Sequence, residues 1–200
     1  MNEERLKALE SLAEEVRNFT SSPLYEFRVQ NGYSSVFGEG DVQASIIFIG
    51  EAPGEREAKT GRPFVGASGR FLDELLLSLG IPREKVYITN IVKDRPPENR
   101  DPTPQEIDLY SPFLIKQIEI ISPRVIATLG RFAMDFILKL FGMPEYGMKI
   151  SQLHGKVLEA KTADGRISVV PLFHPAVAIY NQNSRTTLEK DFQILSQFME

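Results

Sequence analysis

The stretch Ile46–Gly69, with the sequence IIFIGEAPGEREAKTGRPFVGASG, determines the predicted fold. Its first four residues are an apolar run typical of a strand that is buried on both faces. The run ends at Gly50, and the segment Glu51–Gly54 has the proline and glycine of a tight turn. The pattern therefore predicts a buried strand that presents the carboxylate of Glu51 at its carboxyl end, where open α/β sheets bind ligands.

A glycine-rich loop follows this turn. It places Gly61, Gly66 and Gly69 around a single aromatic residue, Phe64, and it leads into a helix that begins near Ser68. The stretch contains neither a GxxxxGK[ST] nor a GxGxxG motif, so those modes of nucleotide binding are not predicted. A buried strand, a carboxylate, a glycine-rich loop and an aromatic ring in this order indicate a binding site.

Buried strands alternate with amphipathic helices along the rest of the chain. Further strands are predicted at 86–92, 125–129 and 167–173, and helices at 3–19, 69–79, 104–121, 131–140 and 186–198. Such alternation predicts an α/β fold: a three-layer α/β/α sandwich with a central, mostly parallel four-stranded sheet. We expect one domain over residues 1–200.

Two segments lie outside this alternation. Residues 20–41 are rich in Ser, Gly and Pro and are expected to be irregular. The segments Gln152–Ala160 and Arg166–Val170 are expected to form a hairpin around Asp164 and Gly165.

Three polar side chains stand where predicted strands end. They are Glu51, Asn90 and His174. Because the carboxyl ends of parallel strands meet at one edge of a sheet, these side chains are expected to converge on one site.

Composition limits the chemistry of the chain. It has no cysteine, two histidines and a formal net charge of −4. Disulfides, thiolate catalysis and an iron–sulfur cluster are therefore excluded, and a zinc site is not expected. No apolar run is long enough to span a membrane, and the first 17 residues do not have the pattern of a secretory signal, so the cytoplasm is the expected location.

Four ordered motifs resemble the uracil-DNA glycosylase superfamily, and most closely its family 4. The motifs are Gly50–Gly54, Gly61–Gly69, Thr89–Arg100 and Phe173–Ala176, and the resemblance extends from about Pro23 to the last helix. It implies a DNA repair enzyme that flips uracil out of DNA. Such an enzyme hydrolyses the N-glycosidic bond and leaves an abasic site.

The resemblance also implies a role for each motif residue. Glu51 and His174 would be catalytic, and the uracil would lie against Gly50, Ala52, Phe64, Asn90 and His174. Apolar residues of the segment 176–184 would enter the duplex, and amides at the start of the helix near Ser68 would bind phosphate. The residues expected to bind DNA are Gly66, Ala67, Ser68, Gly69, Lys93, Arg95, Ala176, Val177, Ile179 and Tyr180.

The sequence departs from family 4 at its cluster ligands. That family normally carries an iron–sulfur cluster, but the positions of its four cysteines hold Phe19, Ser22, Asp94 and Tyr110 here. We therefore predict that no cofactor is bound and that Phe19 and Tyr110 fill the volume of the cluster.

Other interpretations remain open at this point. The chain could act on another deaminated base or a thymine mismatch, or it could be an inactive protein that binds lesions. A relative that traps DNA covalently is less consistent, because no histidine-bearing insertion lies near residues 95–100. The expected partner is uracil-containing DNA, single- or double-stranded, and a monomer is expected.

Overall fold

A six-stranded sheet forms the centre of the fold in the computed structural model, which describes residues 2–162 and 165–198. Its strands are β1 (Glu39–Gly40), β2 (Ile46–Gly50), β3 (Tyr87–Asn90), β4 (Val125–Leu129), β5 (Leu158–Thr162) and β6 (Gly165–Leu172). They are arranged in the order β1-β3-β2-β4-β6-β5. The four central strands are parallel to one another, and β1 and β5 pair antiparallel at the two edges.

The prediction of a mostly parallel α/β sheet is confirmed, but the strand number of four is too low. Strand β1 has only two residues, too few for a sequence pattern. Strand β5 is the first arm of the expected hairpin, whose register runs from the pair Leu158–Val169 to the pair Thr162–Gly165. The expected turn residue Asp164 lies outside the described residues.

Helices cover both faces of the sheet. They are α1 (Asn2–Arg17), α2 (Leu24–Gln30), α3 (Glu55–Thr60), α4 (Ala67–Ser78), α5 (Pro104–Ile121), α6 (Arg131–Leu140), α7 (Ile150–Leu153) and α8 (Gln182–Phe192). Within the described residues 2–162 and 165–198, no helix has the length and apolar character needed to cross a membrane.

Alternating side chains of the buried strands divide the core into two layers. In β2, Ile47 and Ile49 pack with α1, α5 and α6, whereas Ile46 and Phe48 pack with α4 and α8 on the other face. All five residues of β2 are buried, as expected for a central parallel strand. The three-layer arrangement is thereby confirmed.

Several predicted boundaries needed correction. The segment expected to be irregular contains α2, and α3 lies unpredicted between the first turn and the glycine-rich loop. Helix α8 begins at Gln182 and ends at Phe192, with a 3₁₀ segment, Gln193–Phe198, continuing it. Helices as short as α2 and α3 depend on tertiary contacts rather than intrinsic propensity, so their sequences give little signal.

The start of α5 follows its sequence signals closely. The Glu106 N–H donates to Thr103 Oγ1 over 3.2 Å, and the Thr103 N–H donates to Glu106 Oε2 over 2.8 Å. This reciprocal pair is a capping box, with Pro104 at the first helical position. It fixes the start of a helix that packs beneath the segment following β3.

Candidate active site

The carboxyl ends of the parallel strands open onto a cleft of about 490 Å³. Three side chains at strand ends line it together with Phe64. Glu51 directly follows β2, Asn90 ends β3, and His174 follows β6. The structure therefore brings together the three strand-end side chains that are far apart in sequence.

Glu51 is held at the end of β2 by main-chain hydrogen bonds from the segment after β3. The Ile91 N–H donates to Gly50 O and the Val92 N–H donates to Glu51 O, each over 3.0 Å. Burial raises the pKa of the Glu51 carboxyl to about 7, and the negative charge of Asp101 adds to this rise. Such a carboxyl can accept a proton near neutral pH, as a general base must.

Gly50 is needed because Asn90 and Phe64 lie too close to it for any side chain. A Cβ at Gly50 would lie 2.4 Å from Asn90 Oδ1 and 2.7 Å from Phe64 Cζ. Asn90 is 2% exposed, and its Oδ1 has no hydrogen-bond partner among the described residues. A buried amide oxygen without a donor costs free energy, so this atom is positioned to accept a hydrogen bond from a ligand.

The ring of Phe64 forms another wall of the cleft, and the backbone of this residue is strained. Its φ is +49°, which is uncommon for a non-glycine residue, and its ring lies 5.7 Å from the ring of His174 between centroids. Strain of this kind persists only where surrounding contacts impose it. One such contact is Gly69, where a Cβ would lie 1.8 Å from Phe64 O.

Glu57, which the sequence analysis missed, fixes the loop that carries Phe64. Its Oε1 accepts hydrogen bonds from the Val65 N–H over 2.9 Å and the Gly66 N–H over 2.7 Å. Arg83 holds the same loop from the other side, because its Nη2 donates to Pro63 O over 2.7 Å. The position of Glu57 in the first turn of α3 was a possible signal, but α3 itself was not predicted.

His174 has a defined tautomer. The Ala176 N–H donates to its Nδ1 over 3.2 Å, so Nδ1 is unprotonated and the neutral ring carries its proton on Nε2. Burial lowers the pKa of His174 to about 4, although the charge of Glu57 opposes this shift. At neutral pH the ring is therefore a neutral hydrogen-bond donor.

The residues expected to contact DNA occupy different places around the cleft. Five of the expected contact residues line the cleft: Ala52, Gly66, Ala67, Ser68 and Ala176.

The segment expected to enter the duplex follows His174. It forms a 3₁₀ turn, Pro175–Ala178, in which Val177 is 43% exposed, and Tyr180, just after the turn, is 96% exposed. Ile179 is partly exposed, and Gly69 lies under Phe64 rather than on the cleft.

The position of Lys93 differs from the predicted contact with DNA. Its side chain is fully buried, and its Nζ donates to Thr89 Oγ1, Asn90 O and Gln117 Oε1 over 2.8, 2.7 and 2.5 Å. Burial lowers the pKa of Lys93 well below its usual value. Lys93 therefore supports the end of β3 from inside, and the prediction that it contacts DNA is wrong.

The Arg95 side chain also forms hydrogen bonds within the protein. Its Nη1 donates to the Tyr33 hydroxyl over 2.9 Å and its Nε donates to Asn99 Oδ1 over 2.8 Å. Because Asn99 lines the cleft, Arg95 shapes the rim. A direct contact between Arg95 and DNA stays a prediction.

The four cluster-ligand positions do not fit an iron–sulfur cluster. They offer no thiolate, and their polar atoms already have partners: the Leu24 N–H donates to Ser22 Oγ, and Asp94 accepts from Arg28 and Tyr110. The Phe19 ring packs edge-on against Tyr110, with 5.5 Å between the ring centroids. No group of three or more potential metal ligands occurs in the described part of the chain.

His154 does not lie in the predicted hairpin. It directly follows α7, its Nδ1 is 2.6 Å from Asp191 Oδ2 on α8, and its ring centroid lies 4.4 Å from that of Phe173. These contacts connect the end of α7 to α8, and they give His154 a packing role.

Comparison with known proteins agrees with this geometry. The family described as "Uracil DNA glycosylase superfamily" matches residues 37–196. A type-4 uracil-DNA glycosylase from Sulfurisphaera tokodaii is 45% identical over 189 residues, which are 94% of this chain and 83% of the relative. Type-4 enzymes from Archaeoglobus fulgidus and Thermotoga maritima are each 40% identical, over 96% and 98% of this chain and 94% and 97% of their own lengths. The chain therefore belongs to the uracil-DNA glycosylase superfamily.

Proposed function

We propose that this protein is a uracil-DNA glycosylase that hydrolyses the N-glycosidic bond of a flipped deoxyuridine and leaves an abasic site. The observation that carries the proposal is the set of three complementary polar groups in one cleft. Asn90 offers a buried acceptor, His174 offers a neutral donor, and Glu51 offers a carboxyl that titrates near neutral pH. A base in a duplex must leave the stack before it can reach these groups.

Asn90 accounts for the choice of base. Its free Oδ1 can accept the N3–H of uracil while its Nδ2 donates to O4. Cytosine presents an acceptor at N3 and a donor at C4, so both contacts would become repulsive. A pocket with buried polar groups rejects such a base strongly, since those groups would stay unpaired.

Phe64 supplies the stacking surface for the flipped base. Stacking of a base on an aromatic ring contributes roughly 1–3 kcal/mol. The strained backbone of Phe64 and its contacts with His174 hold the ring in place before the base arrives. We infer that the base lies between this ring and the polar groups of Asn90 and His174.

Two residues would perform the chemical step. The bond between C1′ and N1 breaks with its electron pair going to uracil, and the Nε2–H of His174 stabilises the resulting negative charge on O2. Water adds to C1′ and loses a proton to the Glu51 carboxylate, which also favours the positive charge on the sugar. A preorganised donor of this type is commonly worth about 10²–10³ in rate.

The surface around the cleft is suited to holding DNA. Val177 and Tyr180 follow His174 in the chain and are exposed, so they can fill the space that the flipped base leaves. The Gly66 N–H is held by Glu57, so the amides that can bind a backbone phosphate at the start of α4 are those of Ala67 and Ser68, which line the cleft. Action as a monomer, and on either single- or double-stranded DNA, stays a prediction.

Single-turnover excision tests the proposal. A labelled oligonucleotide with one uracil, single-stranded or opposite guanine, is incubated with excess protein and then cleaved by alkali. The wild type should produce a strand break, and Glu51→Gln and His174→Ala should lower the rate constant by about 10²-fold or more. Glu159→Gln, an exposed carboxylate on β5, is the control and should keep the wild-type rate.

Other outcomes would identify the competing functions. Cleavage at hypoxanthine or at a thymine mismatch without cleavage at uracil would assign another lesion. Binding of the uracil oligonucleotide by folded protein without any cleavage would indicate an inactive lesion-binding relative. Wild-type rates in both Glu51→Gln and His174→Ala would show that the active site lies elsewhere.

A further inference from the structure

A buried ion pair occupies the region where family 4 relatives would bind their cluster. Arg28 Nη1 donates to Asp94 Oδ1 and Oδ2 over 3.0 and 3.2 Å, and the Tyr110 hydroxyl donates to Asp94 Oδ2 over 2.6 Å. The Arg28 and Asp94 side chains are only 8% and 0% exposed. We refer to these three residues as the Arg28–Asp94–Tyr110 clamp.

The clamp joins four separate segments of the chain. Arg28 lies on α2 and also donates to Val16 O and Arg17 O at the end of α1, over 3.4 and 2.7 Å. Asp94 follows β3, and Tyr110 lies on α5. The same part of the fold holds the four cluster-ligand positions, so the clamp connects the segments that four cysteines would connect.

The charges of the clamp depend on each other. Burial raises the pKa of Asp94, and the hydrogen bonds from Tyr110 and Arg28 act against that rise. An ionised carboxylate in such a place is stable only with a paired cation and hydrogen-bond donors. Loss of Arg28 alone would therefore leave a buried charge without its partner.

The clamp is connected to the active site through four residues. Asp94 ends the segment 91–94, in which Ile91 and Val92 donate to the main chain of Gly50 and Glu51. Lys93 O, in the same segment, accepts from the Val36 N–H over 2.7 Å. Because this segment begins directly after Asn90, any displacement of Asp94 also displaces the residues that position Asn90 and Glu51.

We propose that the Arg28–Asp94–Tyr110 clamp replaces the iron–sulfur cluster as the cross-link that positions the end of β3 against the catalytic motif. Arg28 and Asp94 are accordingly positioning residues, which act on the reaction through Asn90 and Glu51. The kinetic part of this inference rests on the proposed function. The structural part does not.

A double-mutant cycle measures the ion pair itself. Arg28→Met and Asp94→Asn should each lower the Tm by roughly 10 °C, since removing one partner of a buried pair is strongly destabilising. The Tm of the double variant should fall by clearly less than the sum of the two single losses. Arg17→Met is the matched control, because Arg17 forms an exposed pair with Glu14 and should change the Tm very little.

Amide hydrogen exchange and kinetics distinguish positioning from stability alone. At a temperature where every variant is fully folded by circular dichroism, Asp94→Asn should speed exchange at Ile91 and Val92 at least tenfold more than at the core amides of β4, because global destabilisation alone would speed both sets equally. Its single-turnover excision rate constant should fall about tenfold as well. Arg28→Lys should recover part of both losses relative to Arg28→Met, because lysine keeps the charge without the paired geometry of arginine.

Two results would overturn the proposal. One is additive Tm losses in the cycle, which would mean that Arg28 and Asp94 do not act as a pair. The other is unchanged exchange at Ile91 and Val92 together with an unchanged rate constant in folded Asp94→Asn, which would leave the clamp a purely stabilising role. If the wild type excises no uracil, the proposed function fails, while the cycle and the exchange data still test the clamp.

Discussion

Glu51 and His174 have pKa values shifted in opposite directions by the same physical cause. Burial favours the neutral form of each group, which is the protonated form of a carboxyl and the unprotonated form of an imidazole. The pKa of Glu51 is therefore raised to about 7 and that of His174 is lowered to about 4. Above pH 7 the site holds a carboxylate and a neutral imidazole, the states that the proposed reaction requires.

These shifts predict the pH dependence of excision. Between pH 5 and pH 8 the value of kcat/KM should rise with a midpoint near 7 as Glu51 ionises, because His174 is already neutral over this range. In Glu51→Gln this rise should disappear. A profile in the wild type that is flat or falls between pH 5 and pH 8 would contradict the role of Glu51 as a base.

Asp101 and Arg131 provide a matched pair of variants for the same profile. The two side chains are ion-paired at 2.7 Å near Glu51, and their charges act on its pKa with opposite signs. Asp101→Asn should move the midpoint to lower pH, and Arg131→Gln should move it to higher pH. Profiles from pH 5 to pH 9 test both shifts, and movement in the same direction would exclude this electrostatic account.

Asn90 should contribute to function at a cost in stability. Its Oδ1 is buried without a partner among the described residues, so Asn90→Leu removes an unsatisfied polar atom while nearly keeping the side-chain length. The free energy of unfolding, measured in urea, should stay the same or rise by about 1 kcal/mol. Uracil excision should fall by 10²-fold or more. A strongly destabilised variant would show that Asn90 is part of the structural core.

At the scale of elements, the short helix α3 acts mainly through one side chain. Glu57 on α3 accepts two main-chain hydrogen bonds from the loop that holds Phe64 in its strained conformation. Arg83 adds a hydrogen bond to Pro63 O and an ion pair with Asp73. The aromatic wall of the cleft is thus set by Glu57, which itself lines the cleft, and by Arg83.

Glu57→Ala should therefore impair the reaction although Glu51 and His174 are kept, and loss of the Glu57 charge should only lower the pKa of the already neutral His174 further. With the loop amides released, kcat/KM for uracil excision should fall by about 10–100-fold, the cost of a misplaced binding element. Glu57→Gln keeps an acceptor oxygen at the same place and should lose much less. Steady-state kinetics of the two variants provide the comparison, and equal losses would show that the charge of Glu57 matters rather than its hydrogen bonds.

The elements that could be predicted from sequence are those with strong local signals. Strand β2 is a continuous apolar run, β4 is apolar except for Thr128, and α5 has a capping box, so their sequence patterns are sufficient. The burial of Lys93 had no such signal, because one of its acceptors, Gln117, is 24 residues away on α5. A lysine beside a loop motif is usually solvated, and only the tertiary fold shows otherwise.

For the molecule as a whole, the predicted strand topology located the site residues but did not predict the long-range contacts that hold them in place. Parallel strands had to bring Glu51, Asn90 and His174 to one edge, and they do so. The ion pair between Arg28 and Asp94 joins residues 66 positions apart, on elements of which one, α2, was not predicted. Long-range polar pairs leave no periodic pattern, so the sequence indicated the missing cysteines and aromatic packing by Phe19 and Tyr110, but not the ion pair.

A molecule without cysteine should not depend on metal or redox state for its stability. Incubation with a chelator, followed by exposure to air, should leave the Tm and the excision rate unchanged, because the chain has no thiolate to lose a cluster or to oxidise. Differential scanning calorimetry before and after treatment measures the first quantity. A loss of several degrees after chelation would reveal a structural metal that the donor set does not suggest.

The most direct test of the account is excision by wild-type protein produced without added iron, on oligonucleotides that differ only in one base. Uracil, cytosine and hypoxanthine are each placed opposite the same partner and in single strands, and single-turnover rate constants are compared. We expect excision of uracil at a rate at least about 10³-fold above that of cytosine, and faster than that of hypoxanthine. Equal or greater activity on either other base, or no excision of uracil by the folded protein, would contradict it.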